Sequence, residues 1–132
     1  MDATTHILTI LAVSDVGRAV AFYEQAFGWE RRVDVPVYVE LALPDGRGVG
    51  LYQRDAFASN TGITPDAVGD GATTGTELYL HCEDLDAVIE RLTMLGAREL
   101  SPRMHKDWGD EVAYFADPDG NVLAVARLVA SA

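Results

Sequence analysis

The stretch Leu-Ala-Val-Ser-Asp-Val at residues 11–16 has a counterpart in Leu-His-Cys-Glu-Asp-Leu at residues 80–85, and this pair decides the fold. Each stretch is followed by a run with periodic apolar residues that ends at a glycine, Gly28 in the first case and Gly96 in the second. The two stretches are 69 residues apart, about half of the 132-residue chain. A period of that size predicts two similar modules.

Both stretches predict a strand that leads into a capped helix. Asp15 or Ser14 is expected to cap the first helix and Asp84 the second, because a short side-chain oxygen can accept a hydrogen bond from a free N–H group of the first turn. Apolar residues then recur with i, i+3 and i+4 spacing, as on the buried side of a helix. Gly28 and Gly96 are expected to end the helices, since glycine adopts the left-handed conformation at little cost.

Further strands are predicted after each helix, so that the order βαβββ occurs twice. In the first module the predicted strands are His6–Val13, Arg31–Val35, Tyr38–Leu43 and Gly48–Gln53. In the second module they are Glu77–Cys82, a strand near Arg98–Leu100, Glu111–Ala116 and Val122–Leu128. The sequence Asp45-Gly46 predicts a two-residue hairpin turn in the first module. The fold class is therefore α+β, with two tandem βαβββ modules that form an open, cleft-bearing mixed sheet.

Length and repeat together predict a single domain over residues 1–132. Module one is expected at about 4–55 and module two at 76–130. Residues 56–75 are rich in Gly, Thr, Ser and Asp, which predicts a long linker between the modules.

Composition and charge argue against several classes of protein. Ten basic residues against 21 acidic ones give a net charge of −11, which repels phosphate backbones and would suit a cationic ligand. We therefore expect no nucleic-acid partner. No run approaches the roughly 20 apolar residues of a membrane span, and the first residues lack the features of a signal peptide. With the single cysteine Cys82, these features predict a cytoplasmic protein without membrane contact.

The chain resembles the vicinal oxygen chelate superfamily, which includes glyoxalase, extradiol dioxygenases and the bleomycin-resistance proteins. The matching stretches run in order along the chain: Val-Ser-Asp-Val at 13–16, Phe-Tyr-Glu-Gln-Ala-Phe-Gly-Trp at 22–29, Trp-Gly-Asp-Glu at 108–111 and Asp-Pro-Asp-Gly-Asn at 117–121. The resemblance implies the paired-module fold and a homodimer whose grooves are built partly from the partner chain. It implies little about function, because this fold hosts unrelated chemistries.

Enzymes of this superfamily place one metal ligand on the first and last strand of each module. Counting from the helix caps and the turns places these positions at Leu8, Leu51, Leu78 and Ala124. None of the four offers the oxygen, nitrogen or sulfur donor that a divalent metal needs. We therefore expect no metal and no cofactor, and these positions favour a binding protein over an enzyme.

Period-two alternation predicts which polar side chains share a cleft face with these apolar positions. His6 would lie beside Leu8 on the first strand. A two-residue turn at Asp45-Gly46 would place Glu40 opposite Leu51, and Tyr38 opposite Gln53. Apolar walls with a few polar groups are typical of a small-molecule pocket. The predicted ligand contacts are His6, Leu8, Tyr38, Glu40, Leu51, Gln53, Leu78 and Ala124, together with the aromatic candidates Trp108 and Phe57.

Trp108 is the strongest of these candidates. It lies in the polar loop 104–109, and the resemblance implies that a Trp-Gly at this place lines the ligand groove, where planar groups can stack on the ring. The alternative is a tryptophan that covers the end of the sheet. Phe57 is a second candidate, with simple packing as its alternative.

Three other residues are expected to take no part in binding. His81 alternates with its neighbours and is predicted to point away from the cleft. Cys82 has no basic neighbour in sequence and is predicted to be an inert thiol. His105 is predicted to be a solvated loop residue.

The sequence thus predicts a metal-free binding protein of the glyoxalase/bleomycin-resistance type that sequesters an apolar or aromatic molecule, such as an antibiotic. Two alternatives stay open. One is a lyase, isomerase or dioxygenase-like enzyme that uses His6 and Glu40 as an acid–base pair or as an unusual metal site. The other is an interaction or regulatory subunit whose cleft is filled by its own side chains.

Overall fold

The computed structural model describes residues 1–129, and its elements follow the βαβββ order twice, with one additional helix between the modules. In chain order they are β1 Leu8–Val13, α1 Val16–Phe27, β2 Glu30–Val35, β3 Tyr38–Ala42, β4 Gly48–Gln53, α2 Arg54–Thr61, β5 Glu77–His81, α3 Leu85–Met94, β6 Arg98–His105, β7 Asp110–Ala116 and β8 Val122–Leu128. The segment expected to be a linker, 56–75, therefore begins inside α2. Within residues 1–129 no helix is long and apolar enough to cross a bilayer.

The chain divides into two compact units, each with a four-stranded mixed sheet. The first unit comprises Met1–Glu24 and Gly28–Ala67, and the second comprises Gln25–Phe27 and the chain from Val68 onward. The strand orders are β1-β4-β3-β2 and β5-β8-β7-β6. In each sheet the first strand pairs in parallel with the last, and the other pairs are antiparallel. The predicted α+β class with two βαβββ modules and open mixed sheets is confirmed.

The predicted helix caps are also confirmed. Asp15 Oδ1 accepts a hydrogen bond from the backbone N–H of Arg18 at 3.1 Å, and Asp84 Oδ1 accepts one from Ala87 at the same distance. Gly28 and Gly96 follow the helices with φ values of 70° and 76°. The starts and ends of α1 and α3 are thus explained by residues next to them in sequence.

The prediction of a two-residue turn at Asp45-Gly46 is wrong. The loop has three residues, Pro44-Asp45-Gly46, and is closed by hydrogen bonds from Leu43 N to Arg47 O at 2.8 Å and from Gly46 N to Leu43 O at 2.9 Å. The reason is Pro44, which has no N–H to donate to a strand ladder but suits the second position of a β-turn. The longer loop shifts the whole hairpin register by one residue.

The shifted register changes which side chains share a face of the first sheet. Glu40 pairs with Gly50 and Tyr38 with Tyr52, not with the predicted Leu51 and Gln53. One face, here called the helix face, carries the buried residues Leu11, Val13, Val39, Leu41, Val49 and Leu51. The other, the open face, carries Leu8, Ile10, Ala12, Tyr38, Glu40 and Tyr52, with Gly48 and Gly50 among them.

The second sheet has the same two faces. Its helix face lies under α3, which packs on β8, and carries Leu78, Leu80, Ala113, Phe115, Leu123 and Val125. Its open face carries Glu77, Tyr79, His81, Asp110, Val112, Tyr114, Ala124 and Ala126. Side chains that alternate along each strand thus form an apolar core on one side and a more polar surface on the other.

Candidate functional site

The two ladders show which positions of the modules are equivalent, and they correct two of the predicted ligand positions. Leu8 starts the β1–β4 pairing and Glu77 starts the β5–β8 pairing, each seven residues before its helix cap. The second-module counterpart of Leu8 is therefore Glu77, not Leu78, which lies on the helix face. The counterpart of Ala124 is Gly50, since each is four residues beyond the glycine of its turn. Leu51 lies on the helix face and is fully buried.

The donor chemistry of these equivalent positions does not fit the metal that the superfamily's enzymes use. Of Leu8, Gly50, Glu77 and Ala124, only Glu77 has a side chain that can bind a cation. Across residues 1–129, no three His, Cys, Asp or Glu side chains lie in an arrangement that could hold a metal ion. A single carboxylate is far from the three or four ligands of a catalytic metal site.

On the open face of the first unit, an ion pair and a tyrosine form one polar group. Tyr38 Oη donates a hydrogen bond to Glu40 Oε1 and Arg32 Nε donates one to Glu40 Oε2, both at 2.6 Å. The Tyr38 hydrogen bond, aided by Arg32, lowers the pKa of Glu40 against the opposing effect of burial. Burial, with the hydrogen bond to Glu40, raises the pKa of Tyr38 well above its ordinary value. Glu40 is therefore ionised and Tyr38 protonated at neutral pH.

Two glycines of β4 make room for this polar group. A Cβ atom at Gly50 would lie 2.5 Å from Tyr38 Oη, and one at Gly48 would lie 2.2 Å from Arg32 Nη2. Both distances are well inside van der Waals contact. The glycines thus let the Tyr38 ring and the Arg32 guanidinium lie flat against the sheet.

An aromatic row continues from this group onto α2. The rings of Tyr38 and Tyr52 are 5.1 Å apart, and those of Tyr52 and Phe57 are 5.8 Å apart in an edge-to-face arrangement. Phe57 is half-buried against Tyr52, so it makes the packing contact that was its alternative interpretation. Its contact with a ligand stays a prediction.

The structure does not bring His6 or Gln53 into this group. His6 is exposed, with Nε2 3.1 Å from Thr9 Oγ1. Gln53 lies on the helix face, where Oε1 accepts a hydrogen bond from Val16 N at 3.1 Å and Nε2 donates one to Ser14 O at 2.6 Å. Gln53 therefore satisfies backbone groups at the start of α1, and its predicted place opposite Tyr38 is wrong because of the three-residue turn.

On the open face of the second unit, a buried carboxylate organises the surrounding side chains. Asp110 is 5% exposed, and its Oδ2 accepts hydrogen bonds from Tyr79 Oη and from His81 Nε2, the latter at 2.8 Å. These bonds, that of Tyr79 foremost, lower the pKa of Asp110. Burial and the neighbouring Asp110 raise the pKa of Tyr79. The pair is therefore an ionised carboxylate and a protonated phenol.

The edge of the Trp108 ring is hydrogen-bonded to this network. Its indole Nε1 donates a hydrogen bond to Tyr79 Oη at 2.8 Å, so Tyr79 accepts from Trp108 while it donates to Asp110. The Trp108 side chain nevertheless stays 57% exposed. The alternative in which Trp108 simply covers the sheet end would bury more of the ring than this.

Lys106 adds a positive charge beside the aromatic rings. Its Nζ lies 5.4 Å from the ring centroid of Tyr114 and 5.9 Å from that of Trp108, within the range of cation–π attraction. The Tyr114 ring packs on an apolar floor of the same face. That floor consists of Val112, Ala124 and Ala126, all fully buried.

Sequence reasoning missed most of this second cluster. His81 was predicted to point away from the cleft, but it lies on the open face with Tyr79, because Leu78 and Leu80 turn toward α3. The alternation of polar residues at 77, 79 and 81 with leucines at 78 and 80 was the signal that could have found it. Asp110, Lys106 and Tyr114 carried no comparable signal.

The two remaining candidates have ordinary surroundings. Cys82 directly follows β5, and burial raises the pKa of its thiol, which keeps it protonated. His105 is exposed and pairs with Glu111 across β6 and β7. Neither adds a reactive group to the open faces.

A cleft of about 380 Å³ in the first unit lies apart from these clusters, between the start of α1 and the β2–β3 edge. It is lined by Val16, Gly17, Val20, Arg31, Asp34, Val35, Pro36 and Val39. Its charged residues are committed to each other, since Arg31 pairs with Asp34 at 3.1 Å and with Glu24 at 2.9 Å. This cleft therefore offers a ligand fewer polar and aromatic contacts than either open face.

The fold and the sequence together define the class. This chain belongs to the glyoxalase/bleomycin resistance protein/dioxygenase superfamily, whose family model matches residues 4–125. It is similar to the uncharacterized protein YraH of Bacillus subtilis (strain 168), with 27% identity over 127 residues that cover 90% of this chain and 94% of YraH.

Two solved structures share the fold. A glyoxalase/bleomycin resistance protein/dioxygenase from Nocardioides matches with a TM-score of 0.80 and 20% identity, over 100% of this chain and 88% of that one. A glyoxalase-related enzyme from Fulvimarina pelagi matches with a TM-score of 0.82 and 20% identity, over 95% and 88%. At this level of identity the likeness concerns the fold alone.

Proposed function

We propose that this superfamily member binds a small aromatic or apolar molecule on the open face of its second unit and holds it without transforming it. The observation that carries the proposal is the state of Trp108, whose ring is 57% exposed yet is fixed at its edge by Tyr79. A large exposed aromatic ring loses little further conformational entropy on binding when a hydrogen bond already orients it. Such a ring is a suitable surface for stacking a planar ligand.

Sequestration explains the polar groups as well as the rings. It requires a shaped surface and a few anchors, and Tyr79, His81 and Asp110 can supply those anchors without acting on a bond of the ligand. An antibiotic is one ligand within the proposal, because the superfamily's description includes bleomycin resistance proteins. A homodimer and a cytoplasmic location complete the proposal.

The enzyme alternative has less support from the residues first considered for it. Both oxygens of Glu40 are hydrogen-bonded, and its lowered pKa leaves it without a proton to donate at neutral pH. His6 is bonded to Thr9 in a solvent-exposed position. A general acid–base pair needs at least one group that is free to exchange a proton with the substrate.

The experiment observes the two indole N–H signals of the protein, from Trp29 and Trp108, in an ¹⁵N–¹H correlation spectrum during titration with planar aromatic and apolar compounds. We expect a saturable shift of the Trp108 signal by at least one compound. The Trp108→Ala variant should bind that compound about tenfold more weakly. Trp29→Phe is the matched control and should bind normally, because Trp29 is stacked on Tyr23 with 5.9 Å between ring centroids.

Two outcomes contradict the proposal. If no compound shifts the Trp108 signal, the interaction or regulatory subunit becomes the better description. If a bound compound is converted to a product during the titration, the protein is an enzyme and does not merely sequester its ligand.

A further inference from the structure

We infer that the ligand of the second unit's open face is an aromatic anion, such as a planar ring that bears a carboxylate. This inference rests on the proposed function and adds the charge of the ligand to it. It starts from Lys106, the half-buried cation whose Nζ lies beside the rings of Tyr114 and Trp108 at 5.4 and 5.9 Å. Within residues 1–129, no carboxylate lies within ion-pair distance of this ammonium group.

Two carboxylates that neighbour Lys106 in the β6–β7 hairpin have other partners, and that of the adjacent, exposed Asp107 lies beyond ion-pair distance of the ammonium group. Asp110 accepts hydrogen bonds from Tyr79 and His81. Glu111 pairs with Arg103 at 3.1 Å and with Arg127 at 3.0 Å. Among the described residues, the ammonium group of Lys106 therefore has aromatic rings as its direct neighbours, whereas the ionised Asp110 is buried and reaches Trp108 through the Tyr79 hydroxyl.

The remaining acidic residue of this face lies at its other end. Glu77 pairs with Val122, whereas Asp110 pairs with Leu128, six residues further along β8 and about 20 Å away. Lys106 joins the Asp110 end, where its backbone N–H donates to Asp110 O at 2.7 Å. Burial and the charge of Glu77 raise the pKa of Tyr114, so Glu77 does act on this face. Lys106, however, is the charge that lies beside the Trp108 ring itself, and a ligand stacked there contacts it directly.

The Trp108 ring and the Lys106 ammonium group together define which kind of ligand would fit this face. The ligand's ring can stack on Trp108, and an acidic substituent on that ring can then form a charge-assisted hydrogen bond with Lys106. The whole-chain charge of −11 favours a cation at long range. Asp110 is buried and its oxygen is covered by Tyr79 and His81, whereas Lys106 can contact the ligand directly. Direct contact is stronger than a screened field, so we expect the lysine to determine the sign.

The test compares three probes with the same ring: 2-naphthoate, 2-naphthylmethanol and 2-naphthylmethylammonium. Binding is followed by the Trp108 indole signal and by calorimetry. We expect 2-naphthoate to bind about tenfold more tightly than the neutral alcohol, and the cation to bind no better than the alcohol.

Variants locate the effect at Lys106. Lys106→Met keeps most of the aliphatic chain and should remove the roughly tenfold preference for 2-naphthoate over the alcohol, with both affinities measured in the variant. Lys106→Arg should retain the preference for the anion. Arg47→Met is the control for net charge, because Arg47 pairs with Asp45 at 3.0 Å in the turn of the first unit. It should leave all three affinities unchanged.

The outcomes separate the two proposals. Binding of the alcohol or the cation in preference to 2-naphthoate, or unchanged 2-naphthoate affinity in Lys106→Met, would overturn the anionic ligand while leaving the binding function in place. Failure of all three probes, together with failure of the wider compound series, would remove the binding function itself.

Discussion

At the scale of single residues, Asp110 organises the open face of the second unit. One of its oxygens accepts hydrogen bonds from both Tyr79 and His81, and Tyr79 in turn orients Trp108. Because the carboxylate is almost excluded from solvent, its partners replace the water that it has lost. Replacing the carboxylate of Asp110 should therefore change both the stability of the unit and the orientation of the exposed Trp108 ring.

Asp110→Asn should destabilise the protein at neutral pH, by an amount that disappears in acid. The pKa of Asp110 is lower in the folded protein than the ordinary value near 3.9. Its stabilising contribution is thus complete above about pH 5 and is lost as the pH falls through the lowered pKa. Urea unfolding of both proteins between pH 7 and pH 3 should show two stability curves that converge toward acid.

Asp107→Asn provides the matched control, since it removes the same charge from an exposed position three residues away. It should change the free energy of unfolding by less than about 0.5 kcal/mol at any pH in this range. Parallel curves for Asp110→Asn and the natural protein would show that the carboxylate's charge does not stabilise this face.

At the scale of elements, α1 and α3 were predicted from sequence, whereas α2 was missed and the register of the first hairpin was predicted wrongly. Helix starts and ends depend on neighbouring residues, and the caps Asp15 and Asp84 were found for that reason. The hairpin register depends on the loop length, and Pro44 lengthened the loop by one residue. Leu51 and Gln53 were therefore predicted to face the cleft, but both lie on the helix face.

The same three-residue loop occurs in the second module, where Asp117 N bonds to Asn121 O at 2.9 Å around Pro118-Asp119-Gly120. The repeat of Pro-Asp-Gly in both modules could have revealed the correct register. The second cluster was beyond prediction for another reason. Asp110, Trp108 and Tyr79 meet because β5 and β7 flank β8 in the sheet and the loop before β7 lies at the same end, and no sequence spacing encodes that contact.

Gly50→Ala tests whether β4 needs its glycine to seat Tyr38. The added Cβ would lie 2.5 to 2.9 Å from three atoms of the Tyr38 side chain, so the ring must move and its hydrogen bond to Glu40 must weaken. We expect a loss of about 1–3 kcal/mol in the free energy of unfolding, as for other overpacked sites. Chemical denaturation measures it directly.

A double-mutant cycle identifies the cause. In a Tyr38→Ala background the ring is absent, and Gly50→Ala should then cost much less than in the natural protein. An equal cost in both backgrounds would assign the effect to the strand backbone rather than to Tyr38.

At the scale of the whole molecule, the two units have the same strand pairing but carry different side chains at equivalent positions. Position for position, Glu40 of the first unit corresponds to Tyr114 of the second, since they pair with the equivalent residues Gly50 and Ala124. The first unit thus carries a closed ion pair with tyrosine, and the second an ionised aspartate beneath an exposed tryptophan. The two units thus share a scaffold and differ in the side chains that equivalent positions of their open faces carry.

The homodimer expected from the family resemblance can be tested through the edge strand β2. Among residues 1–129 this strand pairs with β3 alone and is exposed along its whole length. Four of its six residues are charged and a bulge lies between Arg31 and Val33, so the apolar part of the edge is at Val33, Val35 and Val37, which are 37%, 47% and 42% exposed. Exposed apolar side chains on an edge favour association. Because each chain carries a charge of −11, the dimer should tighten as salt screens the repulsion.

Light scattering after size exclusion, at low and moderate salt, should therefore report twice the monomer mass, with a larger dimer fraction at moderate salt. Val35→Lys should shift the protein toward the monomer by placing a charge on the edge. Met94→Lys, which adds the same charge at an 80% exposed position on α3, should not. A protein that stays monomeric at every concentration and salt level would leave the edge of β2 unpaired and would contradict the dimer. Equal weakening by both lysine variants would show that the contact is not specific to β2, since the added positive charge by itself lowers the repulsion between chains of charge −11.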